Sequence, residues 1–175
     1  MMSSNLYLCD PEKNTFCPKT NCHNPCYHTL DPECAWDPTL RVRLDKGAYL
    51  PQRAHDTDAG MDLRTPVDAY VRAGGSTVID TGVHIQLPPR TVGMLKSKSG
   101  LNVKDGIVSE GVIDEGYTGT ILVKLYNNGT EAKQFSRGDK ITQLVVLPVL
   151  YVRVEQAEEL DGGDRGNNGF GSTGR

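Results

Sequence analysis

Arg165, Phe170, Ser172 and Thr173 stand in a glycine-rich stretch, Arg165-Gly-Asn-Asn-Gly-Phe-Gly-Ser-Thr-Gly-Arg175. A cation, one aromatic ring and two hydroxyls are spaced there by glycines, so backbone N–H groups can converge on an anion in a concave nest. Phe170 can stack on a flat ring such as a nucleobase. The composition reads as a flap closing over a phosphorylated, ring-bearing ligand; the alternative for such a terminus is a solvated, unstructured tail. Gly169, Gly171 and Gly174 also match G-x-G-x-x-G. That motif needs a strand before it, a helix after it and an acid about 20 residues on. Only Arg175 follows Gly174, so the dinucleotide reading fails.

Further candidates lie inside the chain. Asp62, between Met61 and Leu63, follows Gly60, where the backbone can pass close to something. In an extended segment it faces away from both apolar neighbours. A carboxylate so placed could hold a water-coordinated Mg²⁺, a hard cation that keeps its waters; the alternative is an Asp turn or cap. Ser97-Lys98-Ser99-Gly100 combines two hydroxyls, an ammonium and a glycine, which suits a phosphate or a plain turn. The Walker A frame is absent. Asp114 follows Val112-Ile113, an apolar pair expected to half-bury it. Glu115 is adjacent, so along a strand the two carboxylates point to opposite faces; one could be functional and the other solvated. Tyr117 stands three residues after Asp114, between Gly116 and Gly119. Gln143 opens an apolar run and must find hydrogen-bond partners if buried. His84 reads as a surface or packed structural residue.

All five cysteines, Cys9, Cys17, Cys22, Cys26 and Cys34, fall in the first 34 residues, among His23 and His28. Their odd number, without an evident secretory signal, argues against a disulfide framework. Cys17, Cys22, Cys26, His28 and Cys34 could supply four Zn²⁺ ligands, although the spacing departs from the usual C-x2-C pair. Free thiols on an arm are the alternative.

The elements that must position these groups read as strands. Residues 39–50, 66–72, 76–87, 91–97 and 120–126 alternate or carry β-formers, and another apolar run reaches residue 154, broken by Pro148. Gly74-Gly75, Pro88-Pro89, Asp105-Gly106 and Asn127-Asn-Gly129 punctuate them as turns. No convincing amphipathic helix is visible. The expected fold is all-β, a barrel or jelly-roll-like sandwich. Residues 1–38 form a Cys-rich arm, 39–164 the β domain, and 165–175 the flap.

Composition narrows the function. With 175 residues, 37% hydrophobic and 23% charged, the chain is one domain with a modest core and many turns, or an oligomer sharing buried surface. Net charge is −3, and no basic block points to a nucleic-acid polymer. No apolar run approaches the roughly 18 residues of a membrane span. The expected location is the cytoplasm.

Together and in order, five segments carry a resemblance: Ala59-Gly-Met-Asp-Leu63, Ser97-Lys-Ser-Gly-Leu101, Gly111-Val-Ile-Asp-Glu-Gly-Tyr-Thr-Gly119, Arg137-Gly-Asp-Lys-Ile-Thr-Gln-Leu144 and Arg165 through Gly174. Over roughly residues 40–175 the chain resembles the trimeric dUTP pyrophosphatase (dUTPase) family. The resemblance implies a homotrimer of jelly-roll-like β-barrels, with the C-terminal tail of one subunit closing a site built by the others. The implied reaction is hydrolysis of dUTP to dUMP and pyrophosphate with Mg²⁺, which limits uracil in DNA and supplies dUMP for dTMP synthesis. Asp114 matches the catalytic carboxylate that orients or deprotonates the attacking water. Tyr117 matches the residue under the deoxyribose that leaves no room for a 2′-OH. Gly111 and Val112 belong to the hairpin that reads uracil. Lys98, Ser99, Gly100 and Gln143 match phosphate contacts, and Asp62 the carboxylate near the metal's water shell. Arg165, Gly171, Ser172 and Thr173 match the tail's phosphate contacts, and Phe170 the ring stacked on uracil.

Two features depart from the family pattern. Lys98 stands where Arg is common, keeping the charge but losing the planar fork. The hairpin offers Ser109-Glu110, so base selectivity is less determined than reaction class. The arm at 1–38 is outside the resemblance and is an expected docking point for an unidentified protein partner. Two other readings compete: a dCTP deaminase of the same fold, whose differently built second motif is absent here, and a trimeric nucleotide-gated binding protein.

Overall fold

The computed structural model describes residues 39–163 and 166. The expected Zn ligands Cys17, Cys22, Cys26, His28 and Cys34, and the tail residues Arg165, Phe170, Gly171, Ser172 and Thr173, lie outside the described residues.

Among the described residues ten strands and one short helix follow in order. They are β1 (Arg41–Leu44), β2 (Gly60–Arg64), β3 (Ala69–Val71), β4 (Ser76–Gln86), β5 (Thr91–Lys96), α1 (Ser99–Asp105), β6 (Ile107–Val108), β7 (Glu110–Ile113), β8 (Thr120–Asn127), β9 (Lys133–Phe135) and β10 (Lys140–Pro148). One sheet runs β1-β4-β8-β6, a second β2-β10-β5-β7, and β3 pairs with β9. Every pair is antiparallel. The all-β expectation holds, and the strand runs expected at 76–87, 91–97 and 120–126 match β4, β5 and β8 closely.

Alternation builds the core. In β8, Ile121, Val123 and Leu125 point inward while Leu122, Lys124 and Tyr126 face out, the period-2 signature of a strand with one buried face. Leu63, Val83, Leu95, Ile107, Ile141 and Leu144 join them in one contiguous cluster drawn from both large sheets. Asn127, 1% exposed, ends β8 as a polar plug. Its Nδ2 donates to the Val71 and Glu131 carbonyls, and its Oδ1 accepts the Gly129 N–H.

Three expectations need correction. Residues 97–101 are not only a turn: Ser99 starts α1, none of whose residues is fully buried and of which only Leu101 packs partly against the core. A helix without an apolar stripe leaves no 3.6-residue pattern to read. Asp105-Gly106 is not a hairpin turn but the end of α1, where Gly106 (φ 68°) caps in the left-handed region and donates back to Asn102 and Leu101. A side-chain carbon on Gly106 would lie 2.7 Å from the Gly129 backbone nitrogen, so both turns depend on glycine to meet. Asp114 is exposed rather than half-buried, because Ile113 turns inward and Asp114 opens the turn after β7 on the solvent side.

Candidate functional site

Two groups of candidate residues form, each built by its strands. The first surrounds Asp62. Strand β10 lies between β2 and β5, so Gln143 is in register with Asp62 on one side and Lys96 on the other. The Asp62 side chain is 8% exposed. Its Oδ1 accepts from Lys98 Nζ and its Oδ2 from Lys140 Nζ at 2.6 Å. Burial pushes this carboxyl up, but the hydrogen bonds from Lys140 and Lys98 outweigh it and hold its pKa below the ordinary value of 3.8. Two ammonium groups against one carboxylate leave the cluster with a net positive charge, suited to a polyphosphate.

Gln143 completes this group. Its Nε2 donates to the Ser97 carbonyl at 3.1 Å. Gly60 makes room for it: a side-chain carbon there would fall 2.2 Å from Gln143 Oε1. Ser99 and Gly100 are exposed at the start of α1, and a side-chain carbon on Gly100 would meet nothing within 4 Å. That glycine answers to no packing demand among the described residues.

The second group lines a cavity of about 230 Å³ framed by Leu95, Gly111, Val112, Ile113, Asp114 and Tyr117. Gly111 pairs with Leu95 across β7 and β5. Asp114 and Tyr117 sit on one turn, closed by Tyr117 N–H donating to the Asp114 carbonyl at 3.0 Å. Tyr117 Oη donates to the Thr120 carbonyl at 2.8 Å. A side-chain carbon on Gly119 would fall 2.5 Å from that hydroxyl, so glycine is what lets the ring lie there. The backbone N–H ties the residue to Asp114 and the hydroxyl anchors the tip of the ring at Thr120, while the residue stays 44% exposed.

A buried hydroxyl network joins the framework of the two groups. Ser97 Oγ accepts the Ser109 N–H at 2.9 Å, Ser109 Oγ meets Thr142 Oγ1 at 2.7 Å, and Thr142 Oγ1 donates to the Lys96 carbonyl at 3.0 Å. The phosphate-type loop, the β7 hairpin and β10 are thereby fixed to one another. Yet among the described residues no hydrogen bond or ion pair joins the Asp114 turn to Lys98, Ser99 or Gln143 themselves.

Sequence reasoning singled out Asp62, Lys98 and Gln143 but not Lys140, Ser97, Ser109 or Thr142 as partners. Lys140 and Thr142 lie inside the fourth quoted segment and Ser97 inside the second, so the signal was present, but only strand register reveals what they touch. His84, read as structural, bonds to Asp45 Oδ2 at 3.0 Å and to the Thr118 carbonyl at 2.9 Å.

For a metal, the described residues contain no group of three or more His, Cys, Asp or Glu side chains. Both Asp62 oxygens already hold ammonium groups, so this donor set fits Mg²⁺ only as an ion carried in on phosphate oxygens and touched through water, the habit of that cation. No described helix is long and apolar enough to cross a membrane.

Comparison with known proteins bears on the same segments. The dUTPase family model matches residues 46–174, starting beyond the cysteine arm. The deoxyuridine 5'-triphosphate nucleotidohydrolase of Clostridium acetobutylicum is 44% identical over 135 residues, covering 75% of this chain and 93% of its own. That of Corynebacterium glutamicum is 44% identical over 138 residues, covering 77% and 93%. The dUTPase of Staphylococcus bacteriophage 80alpha with dUpNHpp superposes with a TM-score of 0.74 at 30% identity, over 78% of this chain and 99% of its own. A variant dUTPase of the Staphylococcus aureus phage phi11, described as coordinating a structural Mg(II) ion, gives 0.64 at 32% identity, over 69% and 97%. With its strand order, its two residue clusters and a family match across nearly all of the β domain, the chain belongs to the dUTPase family.

Proposed function

We propose that this protein hydrolyses dUTP to dUMP and pyrophosphate, at sites assembled between three copies of the chain. The observation carrying the reading is the Asp114–Tyr117 turn at the mouth of a small cavity whose wall is the Gly111–Ile113 strand. That cavity suits one flat base and a sugar. The exposed Asp114 carboxylate would accept a proton from, or aim, the water that attacks the α-phosphorus. For a carboxylate, a weak base, aim contributes more than basicity. The pinned Tyr117 ring would pack under the deoxyribose and leave no space for a 2′-OH. Gly111 and Val112 would present backbone groups to uracil.

Lys98, with Lys140 beside it, would bind phosphate oxygens, while Ser99, Gly100 and Gln143 shape the loop around them. Mg²⁺ bound to the triphosphate would neutralise charge developing on the phosphate oxygens, with Asp62 reaching its waters. Arg165, Gly171, Ser172 and Thr173 would close over the phosphates and Phe170 over the base.

Trimer assembly is supported by exposed apolar side chains after and along the strands, among them Leu122, Leu147, Leu150, Val152 and Val154. In this reading residues 1–38 are an added arm, 39–164 the barrel and 165–175 an exchanged flap. The arm would offer a surface to a protein partner and, if its thiols and His28 converge, a Zn²⁺ site. The protein would act in the cytoplasm, on free nucleotide rather than on a nucleic-acid polymer.

The test is pyrophosphate release from dUTP, dCTP, dTTP and UTP with Mg²⁺. Release from dUTP alone is expected. The Asp114→Ala variant is expected to lose turnover and still bind a non-hydrolysable dUTP analogue; undiminished turnover in that variant overturns the assignment. Hydrolysis of dCTP or dTTP would relocate the error to the hairpin at residues 108–113.

A further inference from the structure

Beside Asp114, Glu115 does not point to open solvent. Its Oε2 accepts the Arg90 backbone N–H at 2.8 Å and the Tyr151 hydroxyl at 2.5 Å. Arg90 follows Pro88-Pro89 in the turn between β4 and β5 and takes φ 59°, the only non-glycine residue with positive φ among those described. A side chain in that region is disfavoured and persists only where its surroundings over-determine it. Here they do. Its N–H is held by Glu115, its carbonyl accepts the Val149 N–H at 2.9 Å, and its guanidinium lies 5.7 Å from the centre of the Tyr151 ring. The hydrogen bond to Glu115 is also the main reason the Tyr151 phenol is held above its ordinary pKa of 10.0.

Three segments distant in sequence therefore meet on one carboxylate oxygen: the Asp114–Tyr117 turn, the Pro88–Arg90 turn, and the stretch that leaves β10. We propose that Glu115 is a positioning residue: through Arg90 and Tyr151 it fixes the turn that aims Asp114, and it makes that aim depend on residues 149–151 being docked. The inference rests on the proposed dUTP hydrolysis. Undocking residues 149–151 would leave the Leu95 and Gly111–Ile113 walls of the cavity and the Asp62 cluster in place, yet free the turn that presents Asp114. A loss of aim acts on the chemical step, since a small misplacement of a reacting group costs rate far more than affinity.

The test uses the full chain and its Tyr151→Phe, Glu115→Ala and doubly substituted variants, followed by pyrophosphate release from dUTP. Tyr151→Phe deletes one hydroxyl and is expected to lower kcat about tenfold, with KM changed no more than about twofold. The double variant should be no slower than Glu115→Ala alone, because both act through one contact. Melting temperature and oligomeric mass are measured alongside. Unchanged kcat in Tyr151→Phe, multiplicative losses in the double variant, or losses that track a fall in melting temperature would each overturn the proposal. Should Glu115→Ala not fold, Tyr151→Phe decides alone. A wild-type chain inactive on dUTP refutes the function reading and the positioning role together. An active wild type with normal variants refutes the positioning role only.

Discussion

Asp62→Asn keeps the shape of the side chain and removes its charge, which isolates the electrostatics of the β2–β10 contact. In the wild-type protein each oxygen of a side chain 8% exposed accepts from one ammonium, Lys98 on one side and Lys140 on the other. A hydrogen bond to a charged group nets about 1.5–3 kcal/mol. The full loss of two would reach about 3–6 kcal/mol, but two effects reduce it. The lysine side chains are 27% and 36% exposed, so water takes over part of their solvation, and the asparagine carbonyl can still accept from one of them. We expect a net loss near 2 kcal/mol. For a domain of this size that lowers the melting temperature by roughly 6–10 °C. The pH dependence has a definite sign. The Asp62 pKa is depressed in the folded state, so its contribution is present above the unfolded value of about 4 and is lost as pH falls through the folded one. Urea midpoints at fixed protein concentration should therefore separate wild type from Asp62→Asn at neutral pH, and the gap should narrow below about pH 4. Adding Lys140→Met to the Asp62→Asn variant should recover part of the loss, by removing the ammonium left facing an amide. Equal midpoints at neutral pH, or a gap that persists undiminished in acid, would refute the claim that Asp62 is the anchor of both lysines.

Gly60→Ala should force Gln143 aside, since the new carbon would fall 2.2 Å from its Oε1; loss of the Ser97 hydrogen bond, about 1 kcal/mol, should raise KM for dUTP severalfold in steady-state kinetics. His84 has acceptors on both ring nitrogens, the Asp45 carboxylate and the Thr118 carbonyl, so only the imidazolium satisfies both, and Asp45 holds its pKa above 6.5. Its stabilisation is thus full below about pH 6.5 and lost as pH rises through the folded value. Urea midpoints of wild type and His84→Leu should converge in mild alkali. Gly106→Ala should cost at least about 2 kcal/mol, from a left-handed backbone and the clash with Gly129; a midpoint shift below half of that would show that the two turns can part cheaply.

The sheets were legible because burial imposes a period of two on β4, β5 and β8, and because turns need Gly, Pro and Asn at fixed places. Helix α1 was not, since none of its residues is buried and its sequence carries no stripe. The order of the five segments sufficed for the family, but residue identity could not say that Lys140 reaches Asp62. That follows from the shifted register between Lys140 and Thr142 on β10, a long-range property absent from any local window. The exposure of Asp114 was missed for a related reason. Two apolar residues before it suggest burial, whereas the chain turns at that point and only Ile113 goes in. The adjacent pair Asp114 and Glu115 suggests only that one could be functional and the other solvated, and nothing local points from Glu115 to Arg90 or Tyr151, distant from it along the chain.

Strand β10 comes after every other described strand in the sequence, yet it occupies an interior position of its sheet, between β2 and β5. On a ribosome, β2 and β5 therefore emerge with no common neighbour to join them, and the sheet carrying Asp62 cannot close until β10 appears. Before then their unpaired edges are open to other chains, as partly folded sheet proteins generally are. Synthesis halted before residue 140 should yield chains that associate or are degraded. Release of the final strand should set off a single late collapse, governed by the slow closure of long loops.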